Sequence, residues 1–169
     1  MDVMELLLSR RSVRKYTGQE VSKELIEKLV KAAMYAPSAG NQQAWQYIVI
    51  TDKTLLDKIA EIHPYGKMLT STSVAILVCG DTALESKQGY WPVDCSASTE
   101  NLLLAAHGLG LGAVWLGIHP RPEREQSMSE LFSLPENIKP FSLVSVGYPT
   151  EQKPIPERYK PERVHWNGW

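Results

Sequence analysis

Apolar positions along the chain switch repeatedly between helical and strand-like spacing. Val3, Leu6 and Leu7 fall on one face of a helix over residues 2–9, before a basic run interrupts the pattern. Ser22 is a good N-cap, Glu24 lies in the first turn behind it, and Leu25, Ile26, Leu29, Val30 and Ala33 make an apolar stripe. The spacing therefore predicts a second helix that stops before Pro37. Trp45, Tyr47 and Val49 alternate as strand residues do, residues 53–62 read as helical, and Val74 to Val78 is a continuous apolar run. That run predicts a central strand covered on both faces.

Residues 81–91 are the most loop-like stretch. Pro92 then suits a first helical turn, Asp94 complements the positive end of the helix dipole, and Leu102, Leu103, Ala106 and Leu109 supply a buried face. Gly108, Gly110 and Gly112 close that helix. Two further strands are predicted over 113–118 and 141–147, with a helix from about Glu123 to Phe132 between them. The pattern ends at Gly147. Pro149, Pro154, Pro156 and Pro161 keep the tail from forming a regular helix, yet it carries Val164, His165, Trp166 and Trp169. Those aromatics need somewhere to bury, either on a neighbouring subunit or back on their own domain.

Composition narrows the function without choosing it. With 169 residues, 43% hydrophobic and 22% charged, the chain has the size and make-up of one globular domain. A formal net charge of -1 provides no broad basic field, so nucleic acid is not an expected partner. No run of about 18 apolar residues is present, so no membrane span is expected, and the N-terminal leucines are too few for a signal peptide. Cys79 and Cys95 suggest neither a disulfide framework nor a metal spacing, which fits a reducing cytoplasm. His63, His107, His119 and His165 are scattered and read as structural or solvent-facing, with no metal site expected.

Four segments have the residue types for chemistry. Arg10-Arg11-Ser12-Val13-Arg14-Lys15 is either a solvated face at a helix end or an anion site, since guanidinium forks with a hydroxyl between them suit phosphate. Residues 37–44 are either a connector or a binding loop. Asn41, Gln42 and Gln43 each offer donors and an acceptor, as the edge of a flavin pyrimidine requires. Gly117 either lets the chain turn or lets a backbone amide approach a flat ring. The fourth segment is the tail around Arg158.

In this order the segments resemble the nitroreductase family of FMN-dependent oxidoreductases, over nearly the whole chain. The resemblance rests on residues 10–16, then on Ala36-Pro37-Ser38-Ala39-Gly40-Asn41-Gln42-Gln43-Ala44-Trp45. It continues through Asn101 to Ala106, Gly108 to Gly112, and Trp115-Leu116-Gly117-Ile118. It implies an α+β fold: a nitroreductase-like α/β sandwich with a central, mostly antiparallel sheet flanked by helices, in a segment-exchanged homodimer. Residues 1–169 would form a single FMN-binding domain with 149–169 as an extended C-terminal arm.

The same resemblance implies the site. Arg10, Arg11, Ser12 and Arg158 are similar to the family's phosphate and ribityl contacts, and Arg14 to its cation near the flavin N1 and O2 edge. Pro37, Ser38, Ala39, Asn41 and Gln43 match the segment contributed by the partner subunit. Leu116, Gly117 and Ile118 match the backbone that approaches flavin N5. Ala44 replaces the family's usual proline, and Gly117 stands where some members carry an acidic side chain, so no side-chain contact is carried over at either position. No residue is expected to act as a dedicated acid or base, because the flavin carries the chemistry. Hydride would pass from NADH or NADPH through N5 to a small-molecule acceptor such as a nitroaromatic or quinone, with ping-pong kinetics. The alternatives are an FMN-binding sensor or sequestration module without efficient turnover, and a dedicated flavin-dependent dehalogenase or flavin-cleaving enzyme.

Overall fold

The computed structural model describes residues 2–151 and 154–169. Five helices, α1 (Val3–Ser9), α2 (Lys23–Met34), α3 (Lys53–Ile62), α4 (Trp91–Gly108) and α5 (Pro122–Phe132), flank four strands. These strands are β1 (Trp45–Ile50), β2 (Val74–Asp81), β3 (Gly112–Gly117) and β4 (Ile138–Gly147). Ser22 caps α2 as expected, and Asp2 and Asp52 cap α1 and α3 in the same way. Asp2 accepts the Glu5 N–H at 2.8 Å, Ser22 accepts the Leu25 N–H at 3.4 Å, and Asp52 accepts the Leu55 N–H at 3.0 Å. Proline occupies the first turn of α4 and of α5, where its missing N–H costs no bond.

The strands form one antiparallel sheet in the order β1-β2-β4-β3. All eight residues of β2 are buried, as a strand covered on both faces must be. Its side chains alternate between two cores. Val74, Ile76 and Val78 meet Ile26, Leu29 and Ala33 of α2 and Leu102, Leu103 and Ala106 of α4. Ala75, Leu77 and Cys79 meet Leu56 and Ile59 of α3 and Met128 of α5. The result is the predicted α+β sandwich, helices on both faces of one sheet. Cys79 and Cys95 are buried and unbridged, and burial pushes the Cys79 thiol up to about 12.

Several boundaries differ from the pattern by one to three residues. β4 starts at Ile138 instead of residue 141, because Pro140 sits where the register with β2 slips between Val78 and Cys79. A proline has no N–H for the ladder and is tolerated at such an irregularity. α4 begins at Trp91, one residue earlier than expected. No helix among the described residues is long and apolar enough to cross a membrane.

The aromatics of the tail do not bury on their own domain. Residues 154–169 are exposed throughout, with Trp166 at 86% and Trp169 at 103% of full exposure, the latter stacked on His165 at 4.3 Å between ring centroids.

A pair of glycines fixes the path of the basic run. Gly112 and Gly147 face each other across β3 and β4. A Cβ at Gly112 would lie 2.7 Å from the Val13 side chain, and one at Gly147 would lie 2.9 Å from the Tyr16 ring. Their absent side chains let residues 12–16 cross the end of the sheet, with Ser12 bridging to Ala113 and Tyr16 to Pro149. The buried Tyr16 hydroxyl donates to the carbonyls of Val13 and Ser145, and desolvation raises it to about 12.

Candidate functional site

The basic run leaves the end of α1 and is pinned by Val13 N–H donating to Ala113 O at 2.9 Å. Arg10 reaches α4, where its Nε lies 3.2 Å from a Glu100 carboxylate oxygen. Arg11 turns back instead. Its Nη1 donates to the carbonyls of Leu8 and Arg10, at 2.8 and 2.5 Å, and its Nε to Pro154 O at 3.2 Å. The Arg11 Nη2 is buried without a hydrogen-bond partner. Desolvation, then the charges of Arg158 and Arg10, push this guanidinium below its ordinary range. Arg10 and Arg158 are thus near enough to act on the charge of Arg11, which keeps one buried donor unspent. A cavity of about 390 Å³ opens beside it, lined by Glu5, Ser9, Arg11, Val13, His107 and Ile155 among others. Arg14 is exposed and near enough to Tyr16 to act on it electrostatically.

The carboxamide loop is wound tightly. Gly40, Asn41 and Gln43 have φ of 57°, 55° and 50°, a left-handed conformation that costs a non-glycine residue energy. Asn41 N–H donates to Ser38 O, Gln43 N–H to Ser38 Oγ and Gln43 Nε2 to Asn41 Oδ1, each at 3.0 Å. Pro37, Asn41 and Gln43 are exposed, while Ser38 and Ala39 are half-buried. Gln42 is not available as a ligand: its Nε2 donates to Asp94 Oδ2 at 2.6 Å and its Oε1 accepts the Lys87 N–H at 2.8 Å.

At the end of β3 the side chains of Leu116 and Ile118 enter the core, and the half-buried Gly117 leaves only backbone between them. The Gly117 carbonyl accepts from His63 Nε2 at 3.2 Å and from Arg124 Nη1 at 2.8 Å. The N–H groups of Ile118 and His119 both donate to Phe141 O, at 3.2 and 2.9 Å. His63 Nδ1 in turn accepts the Tyr65 N–H at 3.2 Å. One ring nitrogen therefore donates and the other accepts, which is the neutral imidazole. Burial lowers the affinity of His63 for a proton, and the Arg124 charge lowers it further against the raising effect of the Gly117 carbonyl. Sequence reasoning saw His63 as structural but missed that it and Arg124 grip Gly117, because the grip joins residues from three separate elements.

The three segments are anchored at different points of the scaffold. Asp94, in the first turn of α4, holds the carboxamide loop, whereas Glu100 and His107 face the basic run. Along α4, Asp94 lies six residues from Glu100, roughly 9 Å, and thirteen from His107, roughly 20 Å. The Gly117 end of β3 likewise lies roughly 14 Å of strand away from the Ser12–Ala113 bridge. Arg10, Arg11 and Ser12 lie on one run, with Arg158 near enough to Arg11 to act on its charge; residues 37–43 and 116–118 are the other two segments.

Comparison with known proteins places this arrangement. Residues 7–63 and 65–148 match the sequence model of the Nitroreductase family. A protein of Methanothermobacter thermautotrophicus, provisionally named an NADH dehydrogenase/NAD(P)H nitroreductase, is 47% identical over 169 residues, covering 100% of this chain and 88% of its own. A crystal structure from Parabacteroides distasonis with the same provisional name superposes with a TM-score of 0.94 at 43% identity, covering 98% of both chains. A Desulfovibrio desulfuricans protein provisionally named a nitroreductase, solved in complex with FMN, superposes with a TM-score of 0.86 at 29% identity, over 100% of this chain and 98% of that one. On a match of this extent in sequence and in fold, the chain belongs to the nitroreductase family.

Proposed function

We propose that this chain is an FMN-dependent oxidoreductase that takes electrons from NADH or NADPH and passes them to a flat acceptor such as a nitroaromatic or quinone. The observation that carries this reading is the buried, unpartnered Arg11 Nη2, with Arg10 and Arg158 near enough to act on its charge. Such a donor costs stability unless an acceptor completes it, and a terminal phosphate offers acceptors in the geometry a guanidinium fork prefers. The residues therefore fit FMN. Arg10, Arg11, Ser12 and Arg158 would hold its phosphate and ribityl chain. Arg14, exposed on the same run, would stand by the N1 and O2 edge. The backbone of Leu116, Gly117 and Ile118 would lie by N5, with the carbonyl of Gly117 turned away onto His63 and Arg124.

Segment 37–43 is tied to Asp94 at the start of α4 and the basic run to Glu100 further along it, and we assign the segment to the flavin of the partner subunit, in a homodimer with shared sites. The partner subunit's Pro37, Ser38, Ala39, Asn41 and Gln43 would then meet the pyrimidine edge. Within the loop, Asn41 Nδ2 and Gln43 Oε1 make no internal hydrogen bond, so a donor and an acceptor are left facing outward. When bound, FMN would supply the hydride chemistry, and the chain's residues would bind, orient and polarise it. The two buried, unbridged thiols suit a cytoplasmic setting.

The test is direct. Purified protein should be yellow, release FMN and not FAD on denaturation, and bleach under anaerobic NADH or NADPH. Colourless protein that takes up no added FMN would overturn the proposal, and bleaching by dithionite alone would make the chain a binding module.

A further inference from the structure

The carboxamide loop needs an external hold, and the structure provides it at a residue with no binding role so far. Asp94 is 2% exposed at the start of α4. Its Oδ1 accepts the Ala39 N–H at 2.9 Å and its Oδ2 accepts Gln42 Nε2 at 2.6 Å, and Gln42 Oε1 then accepts the Lys87 N–H at 2.8 Å. One buried carboxylate thus ties the loop to α4 and, through Gln42, to the loop that precedes α4. The tied segment holds three residues in the left-handed region, Gly40, Asn41 and Gln43, two of them with side chains that make the conformation unfavourable. The exposed Asn41 and Gln43 flank Gln42 directly.

We infer that Asp94 is a positioning residue for flavin recognition, holding the strained loop so that Asn41 and Gln43 are presented ready-made and no ordering cost falls on binding. This rests on the FMN proposal above. The polarity of the chain of bonds makes it testable. If asparagine replaces Asp94 and keeps its carbonyl oxygen on the Ala39 N–H, its amino group meets the amino group of Gln42. Reversing the Gln42 amide only moves the conflict, setting that amino group against the Lys87 N–H. A reciprocal exchange removes the conflict. In D94N/Q42E the carboxylate introduced at position 42 accepts both from the amide introduced at position 94 and from the Lys87 N–H, and the charge of the pair is unchanged.

The experiment measures the FMN dissociation constant and the unfolding midpoint of the full chain for wild type, D94N, Q42E and D94N/Q42E. D94N should weaken FMN binding by about ten- to a hundredfold. Q42E, which sets a carboxylate against Asp94, should weaken it at least as much. The double variant should return to within about threefold of wild type. If D94N lowers the unfolding midpoint but leaves the FMN constant unchanged, or if the double variant binds no better than D94N, the inference is overturned while the FMN proposal stands. A wild-type chain that takes up no FMN overturns both.

Discussion

Arg10 and Arg11 are neighbours in sequence with different duties. Arg10 is neutralised by Glu100, whereas Arg11 is braced by three carbonyls and keeps one buried donor unspent. Arg11→Ala should therefore remove a charge-assisted phosphate contact worth about 1.5–3 kcal/mol, weakening FMN binding by roughly one to two powers of ten. Fluorescence titration checks this, and riboflavin, which lacks the phosphate, is the control. Equal losses for FMN and riboflavin would remove Arg11 from the phosphate site. His63 makes a prediction of another kind. Its proton affinity is lowered in the folded chain, so below an ordinary histidine value of about 6.5 the unfolded chain binds more protons than the folded one. Stability contributed by neutral His63 is present above that pH and is lost as pH falls through it toward the folded value. His107, lowered first by burial and then by Arg10 and Arg11, acts in the same direction. Denaturant unfolding between pH 7.5 and about 5 should show falling stability, and His63→Gln should flatten the slope. A variant with the wild-type slope would clear His63 of this role.

At the scale of elements, the glycine pair joins sheet to site. Gly112→Ala would place a Cβ 2.7 Å from Val13, and Gly147→Ala one 2.9 Å from Tyr16. Either should push the 12–16 crossing off the sheet and shift Arg10 and Arg11 with it. We expect FMN affinity to fall along with a stability loss of about 1–3 kcal/mol from overpacking. Thermal unfolding and FMN titration measured together check this, and full affinity in Gly112→Ala would show that the basic run is positioned independently. The elements themselves were mostly legible. The Ser22 cap, the α2 stripe and the apolar run in β2 are local signals, and local signals survive folding when the packing agrees with them. The start of β4 was not legible, because Pro140 is tolerated by a register slip in β2 that depends on a strand about 60 residues away in sequence. The site followed the same division. Charge and carboxamide content marked residues 10–14 and 37–43, but the Asp94 hold and the His63–Gly117–Arg124 grip join distant residues through backbone groups that carry no sequence signature.

For the whole molecule the surface is as informative as the core. α1 has no buried residue, and Val3, Met4, Leu7 and Leu8 are all exposed, as are Ile155, Tyr159, Val164, Trp166 and Trp169 in the tail. Exposed apolar side chains in this number suit an interface, and the proposed dimer would cover them in one that can exceed about 2,000 Å². Each terminal tryptophan could bury about 150–250 Å² of it. Removing residues 155–169 should lose dimer and FMN together, because Arg158 leaves with the aromatics. Complementation tests the shared site without truncation. Arg10→Ala removes a residue of the proposed phosphate end, and Asn41→Ala one of the segment proposed to come from the partner. If each flavin needs both chains, a heterodimer of the two variants has one doubly damaged site and one intact site. Mixing the variants, unfolding and refolding them should then restore tight FMN binding in about half the sites of each heterodimer, a gain that neither parent shows alone. Heterodimers that form by mass but bind FMN no better than the parents would mean that each chain builds its site from its own residues, with the 37–43 loop serving the fold alone.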